Sequence, residues 1–308
     1  MNWLILVVLA VVFDSARIFI DNYISDVYYK GTCSVAQKLF YGWFFTISAI
    51  IMMLIFGIEA DKVPIITMVW FFVAGVLASI AGIPYYRALE IEDSTNLTIF
   101  IQMAPILYLI LGWFFLNESF SPVQLIAFAV ILAAPILIIV TSRKNGRCAK
   151  LKAAVMASLY VLIAVIGNLI FVKSNSSDFH FTTGMEFLFL GKGVSNLVMC
   201  YTNRRWMRRF RTVMKTSKKK VLRPLIIDGL FCLVKDSAYR GALVMAPAVA
   251  LASAVSDSST PIVTFLMGIV LTLIWPKFGR EKLTKKSVLV HLVATLLVVV
   301  GIIILQFV

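Results

Sequence analysis

Long apolar runs separated by short polar segments cover almost the whole chain of 308 residues. A helix needs about 20 predominantly apolar residues to cross the hydrocarbon core of a bilayer. Residues 125–139 are apolar throughout, without the alternation that a membrane barrel strand requires, so the runs predict helices. The ten predicted spanning helices are residues 3–21, 39–57, 65–88, 95–115, 123–141, 153–172, 181–201, 224–244, 250–275 and 287–307.

The composition agrees with this pattern and excludes a soluble class. The chain is 61% hydrophobic and 14% charged, with a mean hydropathy of +0.94, whereas soluble domains carry about 25% charged residues. Ten spans leave no room for a separate soluble domain, so we expect an all-α integral membrane protein. The first run is expected to remain as a helix, because Asp14 and Arg17 interrupt it and no signal cleavage site follows.

The net charge of +14 is concentrated after the odd-numbered predicted helices. Basic loops stay in the cytoplasm, so we expect a multi-pass plasma-membrane protein with both termini extracytoplasmic. The run from Arg204 to Arg211 also contains aromatic rings, yet a juxtamembrane basic cluster typically serves topology and anionic lipid. Membrane lipids are therefore expected partners and nucleic acid is not. The predicted cytoplasmic loops are residues 143–152, 203–223 and 276–287.

Two related patterns divide the chain. The segment Tyr86–Leu89 precedes an apolar run containing Pro105, and the segment Tyr239–Leu243 precedes one containing Pro261. Because each repeat has five spans, the second enters the membrane in the opposite orientation, and such inverted repeats are typical of alternating-access transporters. The predicted domains are a first repeat at 1–142, a basic linker at 143–152 and a second repeat at 153–308.

Short motifs at matching places in the repeats resemble the EamA-like branch of the drug/metabolite transporter superfamily. They are Arg87 to Leu89, Ala104-Pro105, Leu116 to Glu118 and Ser121 to Gln124, with looser matches at Ala242-Leu243, Thr260-Pro261 and Gly279 to Thr284. The resemblance implies a secondary transporter of small organic solutes without a bound cofactor. It names no substrate.

Four motif residues have predicted architectural roles. Pro105 and Pro261 are expected inside helices, where proline removes a backbone hydrogen bond and produces either a hinge or a static kink. Glu118 and Glu281 each stand just before a predicted helix, so we expect them to cap a helix start and fix the turn.

Charged residues inside the first predicted span form one helical face. Asp14, Arg17 and Asp21 are spaced three and four residues apart, and a charge at the centre of a span must face the protein interior. One interpretation is a cavity wall in which Asp14, beside Arg17, takes up a coupling proton. The other is a self-neutralising ladder packed against a neighbouring helix.

The eighth span carries four more charges and supplies most of the predicted solute site. A matched pair of cations at Arg87 and Arg240 suits a carboxylate or phosphate on the solute, although both also stand at predicted helix ends. The eighth-span charges could equally cancel one another structurally. The predicted solute-binding residues are Arg87, Arg240, Tyr86, Tyr239, Asp236, Lys235 and Glu186.

No catalytic or metal constellation is found in the sequence. The four cysteines are scattered, and His180 and His291 are far apart, so we expect no enzyme, no metal and no cofactor. The predicted function is secondary transport of a small organic solute, such as an amino acid or metabolite. The coupling ion considered is the proton. Alternatives are a lipid flippase or scramblase on the same fold, or a membrane-embedded lipid-modifying enzyme. The sequence leaves open whether the protein forms a homodimer.

Overall fold

The structure is a computed structural model that describes residues 2–29, 34–57, 63–91, 101, 103–143, 151–175, 180–274 and 285–306. Within these ranges it is helical and contains no strand. The α-helices are α1 (Asn2–Ile24), α2 (Lys38–Phe56), α3 (Ile65–Leu89), α4 (Ala104–Leu116), α5 (Pro122–Arg143), α6 (Leu151–Asn175), α7 (Phe181–Thr202), α8 (Arg204–Met245), α9 (Val249–Ile274) and α10 (Lys285–Gln306).

Each described α-helix overlaps one of the predicted apolar runs. Five segments are long and apolar enough to cross a membrane, namely Trp3–Tyr29, Val35–Phe56, Ile65–Ala88, Leu151–Asn175 and Val249–Leu271. Shorter apolar helices are Ala104–Leu116, Pro122–Ala134 and Leu292–Ile304. The all-helical fold of membrane type is therefore confirmed, while ten spans in a 5+5 inverted repeat remain a prediction.

The predicted basic loop 203–223 is wrong as a loop, because most of it forms the first part of α8. Asn203 caps this part: its Oδ1 accepts hydrogen bonds from the backbone N–H groups of Arg205 (3.1 Å) and Trp206 (3.3 Å). Lysine and arginine are good helix formers, and no glycine or proline interrupts the basic run. The helix is broken only at Ser217, whose φ of −140° and ψ of 25° are non-helical.

The other two predicted basic loops lie largely outside the described residues. Helix α5 ends at Arg143 and α6 begins at Leu151, so residues 144–150 of the linker are not described. Residues 275–284, which include Glu281, are likewise outside the described ranges.

The chain forms two compact units, and each takes helices from both predicted repeats. The first unit comprises Met1–Ile20, Ser94–Ala149 and Val234–Val308, and the second comprises Asp21–Asp93 and Lys150–Leu233. Sequence repeats and packing units are therefore different divisions of this chain. The predicted repeat boundaries remain a prediction.

The second unit packs around glycines of α7. A Cβ atom at Gly191 would clash with the carbonyl oxygen of Phe72 on α3, and one at Gly75 would clash with the carbonyl oxygen of Leu188. Small residues allow helix backbones to approach closely, which is the usual basis of helix association in membranes. Stacked rings of Phe45 and Phe189, 5.6 Å apart, join α2 to the same helix.

The first unit packs α5, α9 and α10 around a small apolar core. Ala134, Ile262, Ala294 and Val298 are all buried there. Helix α9 also contacts α4, so helices distant in sequence are neighbours in this unit.

The turn between α4 and α5 differs from its predicted arrangement. Ser121 and Gln124 cap α5 reciprocally, through Ser121 N to Gln124 Oε1 (2.9 Å) and Gln124 N to Ser121 Oγ (3.2 Å). Glu118 instead accepts a 2.7 Å hydrogen bond from the backbone N–H of Val249, at the start of α9. It therefore caps a helix start, but that of α9 and not of α5.

The two motif prolines occupy different positions in their helices. Pro105 lies in the first turn of α4, where its missing N–H costs nothing, so the predicted interior position is wrong for this residue. Pro261 lies inside α9, as expected for a kink or hinge.

Candidate functional site

Five of the predicted charged residues meet in the first unit, and we call them the charged cluster: Asp14, Arg17, Lys235, Asp236 and Arg240. Lys235 Nζ lies 3.4 Å from Asp14 Oδ1 and 3.7 Å from Asp236 Oδ1. Arg240 Nη1 lies 3.6 Å from Asp236 Oδ2, and Arg17 Nη1 lies 3.7 Å from Asp14 Oδ1. One network of ion pairs therefore connects α1 with α8.

Helical spacing explains the local pairs of this cluster. Asp14 and Arg17 are three residues apart on α1, and Asp236 and Arg240 are four apart on α8, which places each pair on one helix face. Lys235 adds the link between the two helices. This link depends on how α1 packs and is not encoded by spacing.

Burial within the charged cluster increases from Asp14 towards Arg240. The side chain of Asp14 is 31% exposed and that of Lys235 is 22% exposed, whereas Asp236 and Arg240 are 8% and 6% exposed. Charges inside a protein in an apolar environment are stable only when they are paired. Of these four side chains, Asp14 is thus the most exposed and Arg240 the most buried.

Sequence reasoning missed Asp257, which lies on α9 in the same unit. Ser253 Oγ donates a 2.7 Å hydrogen bond to its Oδ2, and the carboxylate interacts electrostatically with both Lys235 and Asp14. The sequence contains the signal, because Asp257 is an acidic residue inside an apolar run. Like Asp14, it is therefore expected to face the protein interior. Pro261 also deprives the Asp257 carbonyl of its usual helical hydrogen bond.

A row of hydroxyl groups leads from α4 to Asp257. The hydroxyl oxygens of Tyr108 and Tyr239 are 3.5 Å apart, and the Tyr239 hydroxyl interacts electrostatically with Asp257. Lys235 Nζ lies 5.7 Å from the centroid of the Tyr239 ring. The predicted residues Lys235 and Tyr239 of α8 therefore lie beside a row of polar groups from α4 and α9, which we call the polar row.

Three predicted solute-binding residues lie elsewhere, in the second unit. The Arg87 side chain is exposed, Tyr86 is buried and Glu186 is fully buried on α7. Arg87 and Arg240, predicted as a matched pair, therefore have unlike surroundings, since Arg240 is buried against Asp236. Their roles in solute binding remain predictions.

The second unit contains a polar group of its own, which we call the lysine site: Lys38, Ser79, Lys192 and Asn196. Lys38 Nζ donates a 2.6 Å hydrogen bond to the carbonyl oxygen of Ser79. The Ser79 hydroxyl donates a 2.5 Å hydrogen bond to Asn196 Oδ1. Lys38 precedes the predicted second span, residues 39–57, by one position, and the structure buries it at the first position of α2.

No group of three or more His, Cys, Asp or Glu side chains within the described ranges is placed to hold a metal ion. The sites that the structure does assemble are ion pairs and hydrogen-bonded hydroxyls inside apolar helices. Such polar interiors are typical of membrane proteins that pass solutes or protons.

Comparisons with known proteins agree with this architecture. No curated protein matches the chain. A solved structure described only as a crystal structure of a protein is 13% identical, covers 97% of this chain and 96% of its own, and gives a TM-score of 0.59. At that identity the likeness concerns the fold alone. Residues 1–140 match the model of the EamA-like transporter family, which is part of the drug/metabolite transporter superfamily, so the chain is similar to that family over these residues.

Proposed function

We propose that this protein is a secondary transporter that moves a small organic solute, such as an amino acid or metabolite, by alternating access. The observation that carries the proposal is the charged cluster, in which Lys235 of α8 pairs with Asp14 of α1. Membrane proteins retain such costly groups where a solute or proton passes. The family match of residues 1–140 supports transport as the activity.

The proposed topology has ten spans in two inverted five-helix repeats, in the plasma membrane. This proposal is supported by the overlap of the described α-helices with the predicted spans. The basic residues of α8 before Ser217 then lie at the cytoplasmic surface, and both termini lie outside the cell. With inverted repeats, access alternates when the halves rock about a site near the middle of the bilayer.

Proton coupling through Asp14 follows from the shared lysine. When Asp14 is ionised, Lys235 is attracted both to Asp14 and to Asp236. A proton on Asp14 removes one of these attractions, so that α1 loses its ion pair with α8. A two-state contact of this kind is what a ligand or a proton needs to shift a conformational equilibrium.

The test is solute flux into proteoliposomes containing the purified protein, screened with amino acids, sugars and nucleotide-like anions under an imposed pH gradient. We expect saturable flux that depends on the gradient, and we expect Asp14→Asn to keep flux while removing that dependence. Lys152→Met, an exposed change at the start of α6, is the matched control. Lipid translocation without solute flux would instead identify a flippase and overturn the proposal.

A further inference from the structure

We propose that the lysine site binds an oxyanion, so that the transported solute carries a carboxylate or phosphate group. This inference rests on the proposed transport function and adds a solute class to it. It concerns the second unit alone, where α2, α3 and α7 bring together two ammonium groups, a hydroxyl and an amide.

Lys38 is the central residue of the site. Only 4% of it is exposed, and no carboxylate of the described residues lies within ion-pair distance of its ammonium group. Its hydrogen-bond acceptor is the neutral carbonyl oxygen of Ser79. A buried charge is strongly unfavourable unless a countercharge is present, so an anion that enters this site would stabilise the protonated form of Lys38.

Lys192 adds a second ammonium group, on the same helix as Asn196. Its Nζ lies 3.3 Å from Cys232 Sγ and 4.0 Å from the centroid of the Phe45 ring, and it interacts repulsively with Lys38. Two ammonium groups that repel one another are both stabilised by one oxyanion between them.

The remaining residues suit an oxyanion attached to an organic body. Because Asn196 Oδ1 accepts from Ser79, the amide nitrogen of Asn196 is a further donor. The ring of Tyr86 lies 5.9 Å from Lys38 Nζ, and that of Phe45 lies beside Lys192. These rings offer apolar surface next to the cations.

Gly82 on α3 keeps space open for the ammonium group. A Cβ atom at this position would lie 2.6 Å from Lys38 Nζ. Gly82→Ala therefore displaces the amine without removing its charge, and it serves as an independent probe of the site.

The experiment measures binding to the detergent-purified full chain by isothermal titration, with inorganic phosphate and benzoate as anionic probes. Benzamide and benzylamine are the neutral and cationic counterparts of benzoate. We expect the anions to bind more tightly, and Lys38→Met and Lys192→Met each to weaken anion binding by about tenfold or more, the effect of losing one charged hydrogen bond. Gly82→Ala should weaken it as well, while Lys152→Met should not.

A second arm adds phosphatidic acid in nanodiscs, because a lipid headgroup carries the same oxyanion. Competition with inorganic phosphate that depends on Lys38 identifies the headgroup as the source, and a lack of competition identifies a free solute. Anions that bind no better than benzamide, or equally well to the lysine variants, would overturn the inference. Solute flux that is unchanged in both lysine variants would also overturn it while leaving the transport function intact. Anion binding without any solute flux would support the anion site and overturn the proposed transport function.

Discussion

Lys235 Nζ on α8 lies 3.4 Å from Asp14 Oδ1 on α1, across 221 positions of the sequence. The same ammonium group lies 3.7 Å from Asp236. One lysine therefore pairs with two carboxylates, of which Asp14 is partly exposed and Asp236 is buried. This arrangement makes Lys235 the residue through which a change at Asp14 reaches α8.

The first prediction concerns the energetic coupling of this pair. Lys235→Met leaves two carboxylates without their shared cation, so we expect it to destabilise the protein more than Asp14→Asn does. The double variant should be more stable than the sum of the single changes predicts, by about 0.5–3 kcal/mol, as is usual for residues in one ion-pair network. Unfolding of the four proteins in detergent measures this difference, and strictly additive effects would contradict the pairing.

The second prediction compares two hydroxyl groups of the polar row. Ser253→Ala removes the 2.7 Å donor to Asp257 and should cost about 1–3 kcal/mol, because a partly buried carboxylate loses a partner. Tyr108→Phe removes the longer 3.5 Å contact with the Tyr239 hydroxyl and should cost less than about 1 kcal/mol. Thermal unfolding in detergent distinguishes them, and equal losses would show that the row is not organised around Asp257.

The third prediction concerns the pH dependence of Glu118. Burial raises the pKa of this carboxyl above its usual value, and the hydrogen bond from Val249 opposes the shift only in part. A group with a raised folded-state pKa contributes stability that is present below its unfolded pKa and is lost as the pH rises through its folded pKa.

The Glu118→Gln variant keeps an oxygen acceptor for Val249 and does not titrate. As the pH rises through the folded-state pKa of Glu118, the unaltered protein loses stability and the glutamine variant does not. The melting temperature of the variant should therefore rise relative to that of the unaltered protein. Glu118→Ala, which also removes the acceptor, should lose about 0.5–2 kcal/mol as a lost helix cap. A pH-independent difference between the glutamine variant and the unaltered protein would refute the assigned pKa direction.

The fourth prediction tests the crossing of α3 and α7. Gly191→Ala would force a methyl group against the carbonyl oxygen of Phe72, and we expect a loss of at least about 1–3 kcal/mol. Gly184→Ala, on the same helix, meets ring atoms of Phe71 at 3.1 Å, and a ring can move where a backbone cannot. It should be milder in detergent unfolding, and a reversed order would contradict the close backbone approach.

The fifth prediction tests the topology. In a background without the four native cysteines, Arg211→Cys places an exposed thiol on the basic part of α8, and Met245→Cys places one at the other end of that helix. A membrane-impermeant maleimide should label position 245 in whole cells and position 211 only in inverted vesicles. Labelling of position 211 from outside would reverse the proposed orientation.

The sequence by itself determined the positions of the helices and the charged pairs within them. Apolar runs of membrane-spanning length and i, i+3 or i, i+4 spacing are local properties, so they predicted α2 and α3 and the shared helix face of Asp14 and Arg17. The basic run before Ser217 was misjudged, because high charge was equated with a loop although its residues favour a helix.

Only the tertiary structure decided which distant residues meet. Glu118 caps α9, Lys235 reaches Asp14, and Lys38 is buried against Ser79. These contacts join residues separated by 41 to 221 positions, and no periodic signal along the chain specifies them. They depend on which helix faces pack together in each unit, and packing makes that choice only when distant parts of the chain have come together.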